Sequence, residues 1–226
     1  MSGAGGYAAS AAIRSHSWWL LARFLQEPPR RDWIEAAADF YAAAARQLDP
    51  ELAPVVSAFA ASLQALGADA DLEPLAVEHT RLFAGLRQDF GPPAIESAVR
   101  EGRMLGDSTA AAAIAYAEAG LPGVATEGSP PDHAATELRF LALCAHEEAR
   151  AWAEDRERDA QAWLRRQRGF VERRVARWLP DYCEDRARVS TVPCLRDGLL
   201  ALAALCRADR EDLQALEEGA ESAALA

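Results

Sequence analysis

Apolar side chains recur at steps of three and four along nearly the whole chain, and no stretch alternates convincingly as a strand would. Residues 8–26 read as a first helix with Ile13, Trp18, Leu21, Phe24 and Leu25 on one stripe, stopped by Glu27-Pro28-Pro29 because proline lacks the amide and disfavours helix in the residue before it. Asp32 is placed to cap a second helix to about Gln47. Asp49-Pro50 opens a third that ends near Leu66-Gly67, and a fourth covers about 72–84. An irregular stretch, 86–94, holds Gly91-Pro92-Pro93. Shorter helices are predicted over 95–104 and 108–119, the latter capped by Asp107 or Ser108.

The clearest break is 121–131, with prolines at 122, 130 and 131 and glycines at 123 and 128. Asp132 then stands where it can cap a long helix whose stripe is Leu138, Leu141, Ala145, Ala149 and Trp152. A further helix carries Trp163, Phe170, Val171, Val175 and Trp178 and stops at Pro180; a last one spans about 194–208, and the acidic, Ala-rich tail 209–226 is either a frayed helix or disordered. The expectation is an all-α domain over 1–226, a single bundle of about ten helices whose halves, about 8–120 and 132–208, meet at a Pro/Gly hinge near 121–131.

Composition narrows the function. The chain has 226 residues, 50% of them hydrophobic and 26% charged, enough for a sizeable core. No apolar run approaches the roughly 20 residues needed to cross a bilayer, and no basic region precedes an apolar stretch at the N-terminus, so a cytoplasmic location without membrane insertion is expected. The net charge of −11 repels phosphate backbones and favours a cationic partner, so no nucleic-acid partner is expected. Every basic residue is Arg, which removes chemistry that depends on lysine. Cys144, Cys183, Cys194 and Cys206 show no Cys-x-x-Cys spacing and read as reduced, half-buried apolar residues.

No catalytic motif emerges. Gly-x-Ser-x-Gly, His-Glu-x-x-His and Gly-x-Gly-x-x-Gly are absent, and no histidine has a glutamate three residues before it, as a di-iron bundle requires. His16, His79 and His146 read as solvated or locally bonded, the run 154–159 as an exposed helix face, and the six tryptophans as core anchors. Asp132-His133, following Pro130-Pro131 where a loop becomes a helix, is explained by capping alone, as Glu96-Ser97 after Pro92-Pro93 is by a rigid turn and a helix start.

Several such signals occur together and in order: Leu21-Ala-Arg-Phe-Leu with Glu27-Pro28-Pro29; Glu78-His-Thr-Arg-Leu-Phe83-Ala-Gly85; Gly91-Pro92-Pro93-Ala-Ile-Glu96-Ser97 with Arg100-Glu-Gly102-Arg-Met104; Tyr116 to Gly120-Leu121; Pro130-Pro131-Asp132-His133-Ala-Ala-Thr-Glu137-Leu138-Arg-Phe140-Leu141; and Phe170 with Trp178-Leu179-Pro180. This series, over about 18–206, resembles the TorD/DmsD family of chaperones that help mature molybdenum enzymes. Members often carry a histidine shortly before the Trp-x-Pro, where this chain has Arg173 or Arg174. The resemblance implies an all-helical, non-catalytic protein with no cofactor or metal of its own. Its partners would be the precursor of a molybdopterin-containing oxidoreductase catalytic subunit and that subunit's twin-arginine signal peptide. The implied site lies where 85–97 meets 121–133. There Pro92, Pro93, Pro131 and Phe83 would form apolar walls, Glu96, Asp132 and Glu137 would face the peptide's arginines, and His133 would bond peptide backbone or orient Asp132. The hinge would allow a monomer or a domain-swapped homodimer. Alternatives of other classes are an all-α ligand-sensing transcription regulator and a small helical metalloprotein.

Overall fold

The computed structural model describes residues 4–85, 91–125 and 129–224. Its elements run α1 (Ala4–Gln26), α2 (Arg31–Ala45), α3 (Ala53–Gln64), α4 (Glu73–Phe83), α5 (Glu96–Glu101), α6 (Asp107–Glu118), a 3-10 turn (Pro122–Val124), α7 (Ala134–Ala153), α8 (Glu157–Arg173), a second 3-10 turn (Val175–Arg177), α9 (Leu179–Val189) and α10 (Pro193–Ala224). Among the described residues there is no strand, only a single antiparallel bridge between Ile95 and His133. The fold is all-α.

Prolines punctuate it as stereochemistry requires. Pro28 and Pro29 follow the end of α1, while Pro54, Pro74 and Pro180 occupy the first turns of α3, α4 and α9, where a missing amide leaves no bond unmade. Pro180 therefore starts a helix rather than stopping one. The helix predicted to run to Trp178 ends at Arg173, tightens into the 3-10 turn, and α9 begins, burying Tyr182, Cys183 and Ala187. The last helix likewise outruns its predicted end at 208. It continues to Ala224, burying Leu213, pairing Glu217 with Arg168 at 3.0 Å and setting Ala220 against Ala151, Trp152 and Ala160.

One core runs through the molecule. α1 and α7 form the most extensive helix pair, and a continuous buried cluster joins Trp18, Leu21 and Phe24 of α1 to Leu138 and Leu141 of α7 and Leu195, Leu199 and Leu202 of α10. Rings of Phe24, Trp33, Phe59 and Phe83 pack edge-to-face or offset at 5.7–6.5 Å in its first half. α10 presses so close there that a Cβ on Gly198 would lie 2.7 Å from the Phe24 ring and 2.8 Å from that of Phe59, so this position is closed to side chains. The four cysteines are free and fully buried rather than half-buried. Five tryptophans are buried or half-buried, but Trp19 is 43% exposed and does not serve the core.

Candidate functional site

The two proline-led motifs, thirty-eight residues apart in the chain, lie side by side. The Glu96 amide donates to the Asp132 carbonyl at 2.9 Å and the Ala134 amide to the Ala94 carbonyl at 2.8 Å, closing the bridge. Tyr116 fixes the second strand of this clasp from α6, its hydroxyl donating to the Pro131 carbonyl at 2.6 Å. Phe83 meets the first strand through the turn that follows it. Gly85 has φ +62°, and a Cβ there would stand 2.7 Å from the Pro93 ring, so a residue without a side chain is needed both for the turn and for the contact.

Asp132 does not cap α7. Its Oδ2 accepts from the Ser97 amide at 2.9 Å, satisfying an open donor in the first turn of α5, thirty-five residues earlier. The cap of α7 is His133, whose Nδ1 accepts from the Ala135 amide at 3.1 Å. That bond needs a neutral ring, and burial, helped by the Arg139 guanidinium, pushes the imidazole pKa down to about 4. Asp32 does not cap α2 either, whose N-cap is Arg30; at α6 the two leading amides, of Asp107 and Ser108, donate to the Glu101 carboxylate at 2.9 and 2.8 Å.

Behind the clasp sits a charge cluster whose centre is Arg174. Its Nε donates to Glu137 Oε1 at 3.0 Å, and its Nη2 donates to Glu96 Oε2 and to the Ser108 carbonyl, the latter at 2.9 Å. Trp178 Nε1 donates to the other Glu137 oxygen at 3.1 Å, and Arg100 takes the second oxygen of Glu96. Glu96, Glu137 and Asp132 have no exposed surface at all. Burial and the nearby Glu96 carboxylate raise the Glu137 pKa well above the ordinary range despite Arg174. The carboxylates expected to face a peptide's arginines thus point inward: Glu96 and Glu137 turn to this chain's own Arg174, and Asp132 turns to the Ser97 amide. Pro92, Pro93, Pro131 and His133 are half-buried and form the outer side of the clasp; Phe83 is buried behind it.

Glu78-His-Thr-Arg-Leu-Phe83 ties a third segment to the same region. Glu78 accepts from Arg81 and, at 2.7 and 3.0 Å, from the amide and hydroxyl of Thr191 between α9 and α10. Arg81 also donates to the Val189 carbonyl at 2.6 Å. These contacts, the guanidinium first, hold the Glu78 carboxyl down at about 2. His79 is buried, its Nε2 donating to the Phe24 carbonyl at 2.9 Å. The part of the proposed cleft formed by 86–90 and 126–128 lies outside the described residues. Among the described residues no three His, Cys, Asp or Glu side chains converge as a metal site, and no helix is long and apolar enough to cross a membrane.

The profile of the nitrate reductase delta subunit family matches residues 43–184, which include both strands of the clasp, Arg174 and Trp178. The chain belongs to that family. It is the TorD-like family of molybdoenzyme maturation chaperones that the motif series resembles, and its members are not catalysts. A solved structure from Archaeoglobus fulgidus, described as a candidate redox enzyme maturation protein, is similar over 89% of this chain and 93% of that one, with 22% identity and a TM-score of 0.46. A search of curated proteins finds no match.

Sequence reasoning placed Asp132, His133, Pro131, Pro92, Pro93, Glu96, Glu137 and Phe83 in one region, and the fold brings them together. It missed Arg174 as the residue that joins Glu96 to Glu137, although Arg173 or Arg174 was singled out by its distance from the Trp-x-Pro. Ser97 and Tyr116, which bond the clasp, belonged to the quoted motifs but had no assigned role.

Proposed function

We propose that this chain is a cytoplasmic, system-specific chaperone for a nitrate-reductase-like molybdoenzyme. It binds the apo catalytic subunit, holds its twin-arginine signal peptide, assists molybdopterin insertion and delays export. The observation that carries the reading is the family match over residues 43–184, because the matched segment contains the whole clasp. The net charge of −11 supports it, since an acidic surface speeds and orients encounter with a basic leader.

In this reading Pro92, Pro93, Pro131 and His133 meet the client. The prolines give apolar walls that lose little entropy on binding, and the ring of His133 bonds peptide backbone. Asp132, Glu96, Glu137 and Phe83 act from behind, holding both strands of the clasp in place. The Pro/Gly segment around 121–131 lets the helical halves exchange between protomers, so the protein is a monomer that forms swapped dimers at high concentration.

The test is calorimetric titration of the N-terminal peptide of the co-purifying molybdoenzyme subunit into wild type, His133→Ala and Asp132→Asn. Both variants are expected to bind about tenfold more weakly or worse, with helicity intact by circular dichroism. Unchanged affinity in both removes the clasp from the site.

A further inference from the structure

Residues 158–177 hold seven arginines and two acidic residues, Asp159 and Glu172, a local charge of +5 in a chain whose net charge is −11. Much of this basicity faces solvent on α8. Arg158, Arg165, Arg166 and Arg173 fall within about a third of the helix circumference, along a strip about 22 Å long, with only Ala162 and Gly169 between them. Arg158, Arg165 and Arg173 are exposed and Arg166 is half-buried.

The strip lacks counter-ions. Among the described residues these four arginines make no hydrogen bond and no ion pair. The carboxylates beside them are engaged by other arginines: Asp159 accepts from Arg156 at 2.7 Å, and Glu172 pairs with Arg168 at 3.6 Å. Elsewhere the pattern is the reverse, since Arg14, Arg81, Arg100, Arg150 and Arg207 each hold a carboxylate. Two of the four are nevertheless held in place. Arg166 lies over the Trp163 ring, 4.5 Å from its centroid, and the Arg173 guanidinium lies against Gly169, 2.9 Å from where a Cβ would stand. A guanidinium positioned in advance loses less entropy when it pairs.

At its C-terminal end the strip meets a cleft of about 560 Å³ between α8 and α6, lined by Phe170, Arg173 and Ile114, the last 58% exposed. Among its acidic residues, Glu101 accepts the Asp107 and Ser108 amides, Asp107 pairs with Arg103 at 3.4 Å, and Glu118 is exposed.

We propose that the outward face of α8 is a docking surface for an acidic helical segment of a partner protein. Its carboxylates, set two turns apart, meet Arg158 with Arg165 and Arg166 with Arg173, and an uncharged aliphatic end sits against Ile114. Ala162 keeps the middle of the strip low, so a second helix packs close enough for two-pronged guanidinium–carboxylate bonds. Glu118 rejects an acidic residue at the end that enters the cleft. Charge selects this occupant over other anions: the net charge of the whole chain repels a polyphosphate, and a lipid surface finds only Ala162 and Gly169 between the arginines. The inference goes beyond the chaperone reading and does not depend on it, since this contact favours acid where the leader proposed above is basic.

The experiment uses the purified full chain and two fluorescein-labelled, alanine-based helical peptides ending in leucine, one with two rows of glutamates two turns apart and its twin with glutamines. By anisotropy at low salt the Glu peptide should bind about tenfold tighter than the Gln peptide. The double variant Arg158→Glu/Arg165→Glu should erase that difference. Arg30→Glu/Arg210→Glu, which makes the same change in net charge at exposed arginines off the strip, should preserve it, and Ile114→Ser should weaken both peptides. Circular dichroism confirms that the variants are folded. Equal affinity of the two peptides, no binding of either, discrimination that survives Arg158→Glu/Arg165→Glu or is lost in Arg30→Glu/Arg210→Glu, or unchanged affinities in Ile114→Ser would each overturn the proposal. So would tighter binding of duplex DNA or of phosphatidylserine vesicles than of the Glu peptide.

Discussion

Arg174 carries two glutamates, a carbonyl and, through Glu137, a tryptophan indole, all buried. Removing one member of such a network leaves the others charged and unsolvated, which costs more than the network gains over an apolar replacement. Arg174→Met should therefore destabilise the protein by about 3–5 kcal/mol in urea unfolding, and Glu137→Gln in the same background should recover part of the loss by removing a buried carboxyl left without its cation. At His133 the sign of the pH effect follows from its depressed pKa. Between the ordinary value of 6.5 and about 4, the unfolded chain binds the proton and the folded one does not, so stability falls as pH falls through that window. His79, held near 4 by burial, acts in the same direction, and Asp209, raised to about 7, acts against both. Comparing wild type with His133→Asn, which keeps a capping acceptor but does not titrate, cancels the other two. The difference in unfolding free energy should change by about 2 kcal/mol between pH 7 and pH 4; a flat difference would mean that the ring is solvated.

Among the elements, α10 departs furthest from what the amino-acid pattern predicts. Residues 209–224 look like a tail because they are acidic and alanine-rich, yet Leu213, Glu217 and Ala220 continue the inward stripe at steps of four and three. Deleting everything after Ala208 uncovers Leu213 and removes the Arg168–Glu217 pair. It also exposes the cluster in which Tyr7 stacks on Trp152 at 4.9 Å. The truncated protein should lose about 3 kcal/mol or more and show red-shifted tryptophan emission; an unchanged melting temperature would mark the tail as dispensable. The long helices were legible because their stripes span four or more turns. The α8–α9 boundary was not, because Pro180 marks a helix start as readily as an end and only the backbone turn at 174–178 distinguishes them. At the site, local spacing identified Asp132-His133 as a loop-to-helix junction. Which amide Asp132 serves depends on α5, and a buried arginine leaves no periodic trace when its partners come from three other helices.

For the molecule as a whole, one core binds both helical halves, the net charge is −11, and the outer side of the proline clasp offers apolar contact. That combination suits holding a greasy, basic segment of another protein. The charge predicts an association rate that falls with added salt, by stopped-flow fluorescence, while an apolar grip leaves dissociation nearly unchanged. The most direct measurement is affinity purification of the tagged full-length chain from its own cells, with mass spectrometry of what it retains, against an unrelated acidic helical protein as control. The account predicts enrichment of a molybdopterin oxidoreductase catalytic subunit in its cofactor-free form. Retention of no such subunit above the control, from cells shown to express one, would contradict it.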